Sequence, residues 1–260
     1  MGCGSSNYKP PKFNPDRFST LKEVQTAIQQ AGLESSNLIF GIDYTGSNNV
    51  TGARTFGGKC LHDLSVKNPY MEVIEILGET LEPFDDDHLI PAYGFGDEKS
   101  RDLTVMPFYP DRPCDGFQEV LRRYQEITPT IDLCGPTDFA PLIYEAIRIV
   151  KETKQYHILV IVTDGQVNSE KRTIDAIVEA SKTALSIVCI GVGDGPWDLM
   201  ETFDDRIPRR VFDNFQFVDF HEVKQRHRNN FIPAFALSCL MEIPDQYLAI
   251  KKLGYLDSLT

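Results

Sequence analysis

Three short apolar runs, each ending abruptly in small polar residues, constrain the fold more than any other feature of this sequence. They are NLIFGID at 37–43, HILVIVT at 157–163 and LSIVCIG at 185–191. Near-continuous runs rich in β-branched residues are typical of strands that helices cover on both faces. We therefore expect a parallel sheet between two layers of helices.

Helical patterns alternate with the strand patterns along the chain. The first helix is expected to begin after a cap at Ser19 or Thr20. Further helices are predicted at 69–81, 116–127, 138–153, 169–183 and 229–253, the last broken near Pro244. Further strands are predicted at 88–95 and 215–219. The alternation predicts an α/β fold with a doubly wound, mostly parallel central sheet flanked by helices on both faces.

The length and composition indicate one folded domain rather than two. A chain of 260 residues with 42% hydrophobic content can bury one full core. Residues 1–18 are rich in Gly, Ser, Asn and Pro, which predicts a flexible tether. Residues 19–260 are predicted to form the domain.

Charge and cysteine usage exclude several classes of function. The formal net charge of -12, with scattered basic residues, argues against a nucleic-acid partner. The six cysteines show no spacing typical of zinc ligands. The sequence contains neither a membrane-spanning apolar run nor a secretory signal. We therefore expect a cytoplasmic location with free thiols.

The first six residues, MGCGSS, match a lipidation pattern. Gly2 follows the initiator methionine and Ser6 lies at the spacing of an N-myristoylation site, while Cys3 is a candidate for palmitoylation. One myristoyl chain binds a membrane only marginally, whereas a second acyl chain makes binding stable. The pattern predicts anchoring at the inner face of a membrane if both residues are acylated, and its alternative is a small, flexible N-terminus.

The strand 37–43 ends in a cluster of oxygen-bearing side chains. Asp43 terminates the strand, and Thr45 and Ser47 follow at alternate positions, so one tight turn can present a carboxylate and two hydroxyls to the same point. Gly46 between them permits a sharp backbone turn. In an open parallel sheet, ligands bind at the carboxyl ends of the strands.

Two later segments supply further oxygen ligands. Thr137 lies in a loop just ahead of a predicted helix, and Asp164 follows the strand 157–163. Two carboxylates with hydroxyls suit a hard divalent cation, Mg²⁺ or Mn²⁺. Without a cation, the two carboxylates would repel and raise each other's pKa. The sequence therefore predicts a metal site at Asp43, Thr45, Ser47, Thr137 and Asp164.

Each ligand taken alone also has an ordinary structural interpretation. Asp43 and Asp164 could cap turns, and Thr137 could cap its helix. Asp138 is expected to stabilise a helix start and to reach the ion at most through water. Asp97 and Asp194, which have glycine neighbours, are interpreted as turn residues.

The segments DYTGS, GPTDF and VTDG, in this order, resemble the metal-ion-dependent adhesion site of von Willebrand factor A domains. The chain most resembles the copine-type A domain, which also occurs in plant RING-domain ubiquitin ligases. The resemblance extends over about residues 20–255 and includes YGFGD, IVCIGVGDGPW and FALSCLMEIPDQY. Thr45 replaces the serine usual in the site, which keeps the hydroxyl.

The resemblance implies a metal-dependent protein-binding module in which an acidic residue of the partner completes the ion's ligand shell. Copines carry C2 domains ahead of the A domain and the plant ligases carry a RING after it, and neither is found in this sequence. Calcium-triggered docking and ligase activity are therefore not carried over. We expect an adaptor or scaffold and not an enzyme.

Catalytic motifs are otherwise missing from the sequence. It contains no GxSxG elbow, and the loop 52–60 departs from a phosphate-binding loop at Ala53 and Cys60. Arg54, Phe56 and Lys59 of this loop could frame a partner site or simply be solvated. Three alternatives for function stay open, namely a metal-dependent hydrolase, the substrate-recruiting part of a ubiquitin ligase, and a constitutive scaffold with a vestigial metal site.

Overall fold

One six-stranded sheet forms the centre of the protein in the computed structural model, which describes residues 18–207 and 209–256. The predicted acylation residues Gly2 and Cys3, and most of the predicted tether, lie outside the described residues. The described strands are β1 (Asn37–Asp43), β2 (Leu89–Ile90), β3 (Ala92–Phe95), β4 (Met106–Pro107), β5 (Cys114–Asp115), β6 (His157–Thr163), β7 (Leu185–Gly191) and β8 (Phe215–Asp219).

The large sheet has the order β4-β3-β1-β6-β7-β8, and β2 pairs with β5 in a separate two-stranded sheet. Within the large sheet, all pairings are parallel except that of β3 with the edge strand β4. The apolar strands β1, β6 and β7 are buried along their whole length. These findings confirm the predicted mostly parallel α/β fold.

Helices cover the sheet in two groups. The helix α4 packs against α5 and contacts β6 and β7, whereas α2 contacts β1 and packs with α1, α3 and α8. The described helices are α1 (Leu21–Gln30), α2 (Pro69–Leu81), α3 (Gly116–Ile127), α4 (Ala140–Thr153), α5 (Glu170–Ala180), α6 (Asp198–Asp205), α7 (Phe220–Arg226), α8 (Phe231–Leu240) and α9 (Ile243–Lys252). None of the helices in the described ranges is long and apolar enough to cross a membrane.

Helix starts follow local capping chemistry. Thr20 Oγ1 accepts a hydrogen bond from the Glu23 amide at 3.3 Å, and the Glu23 carboxylate accepts one from the Thr20 amide at 3.1 Å. This reciprocal pair satisfies two amides that a helix start otherwise leaves without partners. At α4, Asp138 Oδ1 accepts a hydrogen bond from the Ala140 amide at 2.8 Å, so the helix begins after Asp138 rather than at it.

Two predicted elements differ in the structure. The strand expected at 88–95 is divided into β2 and β3 by Pro91, which has no amide to donate to a sheet. The closing stretch forms α8 and α9, and the break falls at Met241 and Glu242. Pro244 lies in the first turn of α9, where a missing amide costs nothing.

Candidate metal centre

Parallel pairing brings the two predicted metal carboxylates to one edge of the sheet. β1 lies directly beside β6, with Ile42 opposite Val162. Asp43 is the last residue of β1, and Asp164 follows the last residue of β6. Both carboxylates are fully buried. The carboxyl ends of these two strands therefore form the floor of the site.

The turn after β1, residues 43–47, is held by its own hydrogen bonds; we call it the metal loop. Asp43 Oδ1 accepts a hydrogen bond from the Thr45 amide at 2.8 Å. The Asn48 side-chain amide donates to the carbonyl oxygens of Asp43 and Thr45, at 3.3 and 3.0 Å. A short 3₁₀ turn follows from Gly46. These bonds fix the direction in which the Thr45 and Ser47 hydroxyls point.

Three hydroxyl groups surround the Asp164 carboxylate. Ser47 Oγ and Thr45 Oγ1 lie 3.0 and 3.5 Å from Asp164 Oδ1, and 2.9 Å from each other. Thr51 Oγ1 donates to the second oxygen, Asp164 Oδ2, at 2.6 Å. The structure thus brings together four of the five predicted ligands, Asp43, Thr45, Ser47 and Asp164.

The fifth predicted ligand, Thr137, lies on a loop joined to both sides of the site. On one side, the Gly46 amide donates to the Cys134 carbonyl at 2.7 Å. On the other, Thr137 and Asn168 exchange two hydrogen bonds, from the Thr137 amide to Asn168 Oδ1 at 2.7 Å and from the Asn168 amide to the Thr137 carbonyl at 2.8 Å. The hydrogen bonds among the other four ligands do not include the Thr137 hydroxyl. Thr137 as a ligand stays a prediction.

The electrostatics of the site favour a bound cation. The pKa of Asp43 is raised to about 7, first by burial and then by repulsion from Asp164, and hydrogen bonds from Thr163 and Thr45 oppose the rise. Burial likewise raises the pKa of Asp164. Within residues 18–207 and 209–256, no positive side chain is among the main groups that shift either pKa. A divalent ion would supply the positive charge that two buried carboxylates need.

The chemistry of the donor atoms fits Mg²⁺ or Mn²⁺. The converging atoms are carboxylate and hydroxyl oxygens, which are ligands that these hard cations prefer. No group of three or more His, Cys, Asp or Glu side chains that could hold a metal occurs in the part of the chain that the structure describes. The predicted set with its two carboxylates is the candidate metal site.

A buried aromatic cluster supports the metal loop from below. The His62 ring is stacked between Tyr44 and Tyr70, with ring centroids 4.7 and 4.2 Å away. Its two ring nitrogens lie 2.8 Å from the Tyr124 hydroxyl and 2.8 Å from the Asp43 carbonyl. Burial lowers the pKa of His62 to about 4, so the ring is neutral near pH 7. His62 is thus a structural support and not a charged ligand.

The site depends on residues that the sequence pattern did not single out. Thr163 donates to Asp43 Oδ2 at 2.6 Å, and Thr51 holds Asp164 from the other side. Thr163 directly precedes a predicted ligand and Thr51 lies one helical turn beyond Ser47, so adjacency and spacing were the available signals.

Asp194 is more than the turn residue that its glycine neighbours predict. Its carboxylate accepts hydrogen bonds from the amides of Arg54 and Thr55 at 3.0 Å each and from the Thr55 hydroxyl at 2.7 Å. Its amide donates to the Thr51 carbonyl at 2.8 Å. We call this set the Asp194 latch, because it fastens the loop after the metal loop to the end of β7. By contrast, the turn prediction for Asp97 is confirmed by its hydrogen bonds from the next residues.

Two glycines are required for close approach around the metal loop. A Cβ on Gly96, whose φ is +78°, would lie 2.3 Å from Thr45 Cγ2. A Cβ on Gly193 would lie 2.5 Å from the Asp164 carbonyl oxygen. Both distances are far below van der Waals contact, so a larger residue would displace a metal-site residue.

Comparison with known proteins places this geometry in a family. The model of the Copine family matches residues 60–258. Copine family protein 2 of Caenorhabditis elegans is 56% identical over 94% of this chain and 3% of that protein. The Arabidopsis thaliana E3 ubiquitin-protein ligase RGLG1 is 53% identical over 93% of this chain and 53% of its own length. The ligase RGLG3 of the same organism is 48% identical over 98% of this chain and 74% of its own length.

The chain therefore spans about half the length of RGLG1 and a small part of Copine family protein 2. These relatives contradict the prediction that the protein is not an enzyme, because several of them are named as ubiquitin-protein ligases. The prediction was wrong because it treated a missing RING as evidence, although the match covers only part of most of these enzymes.

Solved structures share the fold at low sequence identity. The N-terminal domain of TFIIH p34 aligns with a TM-score of 0.50 and 10% identity over 77% of this chain and 98% of that one. A manganese-loaded Plasmodium vivax TRAP protein aligns with a TM-score of 0.48 and 14% identity over 76% and 74%, too weakly to bear on the metal. The matched family model, the close relatives and the predicted motifs agree: the chain belongs to the Copine family.

Proposed function

We propose that this chain is a protein-binding module that recognises its partner through a bound Mg²⁺ or Mn²⁺ ion. The observation that supports the proposal is the convergence of two buried carboxylates, with raised pKa values, and a set of hydroxyls at one edge of the sheet. Such a pair is costly to keep without a positive charge. The cost is explained if the protein uses the site to hold a cation.

Asp43, Thr45, Ser47, Thr137 and Asp164 would hold the ion, directly or through water. When bound, the ion supplies a Lewis-acidic point that accepts a carboxylate oxygen from a partner. Ser47 is partly exposed whereas Asp43 and Asp164 are buried. The partner would therefore reach the ion from the Ser47 side and complete its ligand shell with an acidic residue.

A second candidate function is the substrate-recruiting part of a ubiquitin ligase. It is supported by the relatives named as E3 ubiquitin-protein ligases, which match 93% to 98% of this chain. The metal-dependent contact would then select the protein to be modified. The test is whether proteins released from the chain by a chelator carry ubiquitin when cells are treated with a proteasome inhibitor. Release of unmodified proteins alone would argue against recruitment.

We also propose that acylation of Gly2 and Cys3 holds the protein at the cytoplasmic face of a membrane. The support is the sequence pattern of the first six residues. Two acyl chains would give stable binding and one would give marginal binding. Gly2→Ala should release the protein from the membrane fraction and Cys3→Ser should weaken its retention. A wild-type protein found wholly in the soluble fraction would contradict the proposal.

The binding function is tested by affinity capture. The immobilised chain should retain partner proteins in Mg²⁺ and release them into EDTA, and Asp43→Asn should retain none of the EDTA-released set. Asp97→Asn is a matched control, because Asp97 is a buried turn aspartate whose carboxylate takes no part in the hydrogen bonds that join the four ligands. Partners that survive chelation and bind both variants equally would contradict a metal-dependent contact.

A further inference from the structure

A cavity of about 440 Å³ opens beside the metal loop, between residues 60–64 and 128–133. We call it the side cavity. Its size is within the range of pockets that take small ligands or single large side chains. The apolar part of the lining includes Leu64, Pro129, Ile131 and Leu133, and the polar lining residues are His62, Asp63 and Thr128.

The side cavity and the metal loop share a wall. His62, which lines the cavity, contacts the Asp43 carbonyl through a ring nitrogen at 2.8 Å. Leu133 also lines the cavity. The carbonyl oxygen of the next residue, Cys134, accepts a hydrogen bond from the Gly46 amide at 2.7 Å. Cys134 also pairs with Thr45 in an isolated parallel bridge. Neighbouring chain segments in such a bridge lie about 5 Å apart. The cavity therefore adjoins the chain segment that carries the predicted ligands Asp43 and Thr45.

The lining offers little to a polar or charged group. Both ring nitrogens of His62 are already hydrogen-bonded, to Tyr124 and to the Asp43 carbonyl. At the rim, Asp63 and Lys59 form an ion pair with 3.0 Å between Oδ2 and Nζ. Leu64, Ile131 and Leu133 are partly exposed and pack against the core. These features favour an apolar occupant.

We propose that the partner places a large apolar side chain, such as Leu, Ile, Met or Phe, in the side cavity next to the carboxylate that completes the ion. The inference rests on the metal-dependent binding proposed above and adds the chemistry of the second contact. An extended chain advances about 3.3 Å per residue. Because the cavity and the metal loop belong to one fold, the acidic and the apolar residue should keep one fixed separation along the partner chain.

The two contacts have different roles in recognition. The ion binds any accessible carboxylate, so by itself it selects little among acidic proteins. Burying a large apolar side chain strengthens binding by roughly tenfold or more relative to alanine. The side cavity would thus supply the specificity that the ion lacks.

The experiment is selection from a displayed peptide library with one fixed Asp and five random residues on either side. Peptides are bound to the immobilised chain in Mg²⁺, eluted with EDTA and sequenced. We expect Leu, Ile, Met or Phe to be enriched at one fixed offset from the Asp, and replacement of that residue by Ala to weaken binding about tenfold.

Variants assign the enrichment to the side cavity. Ile131→Trp should fill the cavity, and Ile131→Ser should make it more polar. Both variants should lose the preference for apolar residues in the selected peptides, while their affinity for Mn²⁺ stays unchanged. Ile174→Ser, at a partly buried position on α5, is the matched control and should keep the preference.

Three outcomes would count against the inference in distinguishable ways. Asp-dependent, EDTA-released peptides without apolar preference at any offset would overturn it and leave the binding function intact. An apolar preference that persists in both Ile131 variants would also overturn it. A wild-type chain that binds Mn²⁺ but yields no EDTA-released peptide would overturn the proposed function together with this inference.

Discussion

Asp43 is a residue whose effect on stability should reverse with the presence of the ion. Without metal, its buried carboxylate faces that of Asp164, and burial and repulsion both raise its pKa. Asp43→Asn removes one charge from the pair and keeps a similar shape. In EDTA at pH 8, we expect the free energy of unfolding of the variant to exceed that of wild type by about 1–2 kcal/mol. Urea unfolding measures the difference.

The matched control for this prediction is Asp97→Asn. Asp97 is also buried and, like Asp43, accepts hydrogen bonds, from Lys99 and Ser100, but it is not a member of the carboxylate pair of Asp43 and Asp164. Removing its charge should therefore leave stability unchanged or lower it. An Asp43→Asn variant that is less stable than wild type in EDTA would show that the carboxylate pair is well tolerated without an ion.

Thr51 is expected to position a ligand without binding the ion itself. Its hydroxyl donates to Asp164 Oδ2 at 2.6 Å and so fixes the orientation of that carboxylate. Losing such an outer partner typically lowers metal affinity by about 10–100-fold. Thr51→Val should weaken Mn²⁺ binding by roughly tenfold, and Thr51→Ser should restore it, as measured by calorimetric titration.

The control for Thr51 is Thr202→Val, because the Thr202 hydroxyl donates only to a helix carbonyl, that of Asp198, at 2.9 Å. It should bind Mn²⁺ as wild type does. Equal affinity in Thr51→Val and wild type would show that the hydroxyl bond to Asp164 does not prepare the site.

At the scale of single residues, the sequence pattern predicts which candidate ligands converge better than it predicts the residues that support them. Asp43, Thr45, Ser47 and Asp164 were predicted from strand ends, and the structure brings them together. Supporting contacts such as that of Asp164 with Thr51 join residues 113 positions apart, so no local pattern reveals them. They depend on which loops the sheet order places side by side.

Among the elements, the loop after the metal loop should be the most sensitive to a single change. The Asp194 latch holds it through the amides of Arg54 and Thr55. Asp194→Ala removes these acceptors, and a loop held by fewer hydrogen bonds opens more often. Trypsin should then cleave after Arg54 or Lys59 at least several-fold faster than in wild type, as followed by mass spectrometry.

An exposed aspartate nearby, Asp198 at the start of α6, serves as the control for the latch. Asp198→Ala should leave the rate of cleavage in the loop unchanged. If Asp194→Ala were cleaved no faster than wild type, the loop would be held by other contacts and the latch would have no mechanical role.

Element boundaries show what pattern alone can and cannot predict. The buried strands β1, β6 and β7 match their apolar runs, because continuous hydrophobicity is what burial on two faces requires. The short strands β4 and β5 and the helices α6 and α7 were not predicted. They have two to eight residues, too few for periodicity to be distinguished from loop sequence.

For the whole molecule, the excess of acidic residues makes stability depend on pH. Burial, with repulsion from Asp204 and Asp213, raises the pKa of Glu242 from its ordinary value near 4.5 to about 7. The folded state therefore disfavours the charged form, and stability is lost as the pH rises from about 4.5 to 7. At pH 8, the free energy of unfolding of Glu242→Gln should exceed that of wild type by on the order of 1 kcal/mol, a value reduced because Glu242 is partly exposed. At pH 4.5, the two proteins should be equally stable.

Urea unfolding at both pH values tests this prediction. Glu201→Gln, an exposed change on α6, removes the same net charge and separates the local effect from the effect of total charge. If both variants gained stability equally at pH 8, the overall charge of -12 would explain the gain and the burial of Glu242 would not.

At the same scale, the fold class and the family were both predictable from the order of motifs along the chain. Whether the chain belongs to an enzyme was not predictable, because a match to part of a longer relative does not reveal the activity of the whole. The metal loop and the side cavity lie side by side, and the proposed partner would contact both.

Calorimetric titration with Mn²⁺ measures whether the carboxyl edge of the sheet holds a divalent cation, on which the proposed function depends. Wild type and Asp97→Asn should each bind one ion, and Asp43→Asn and Asp164→Asn should bind it at least about 100-fold more weakly. Equal Mn²⁺ affinity in wild type and Asp43→Asn, or no binding to wild type, would contradict the account.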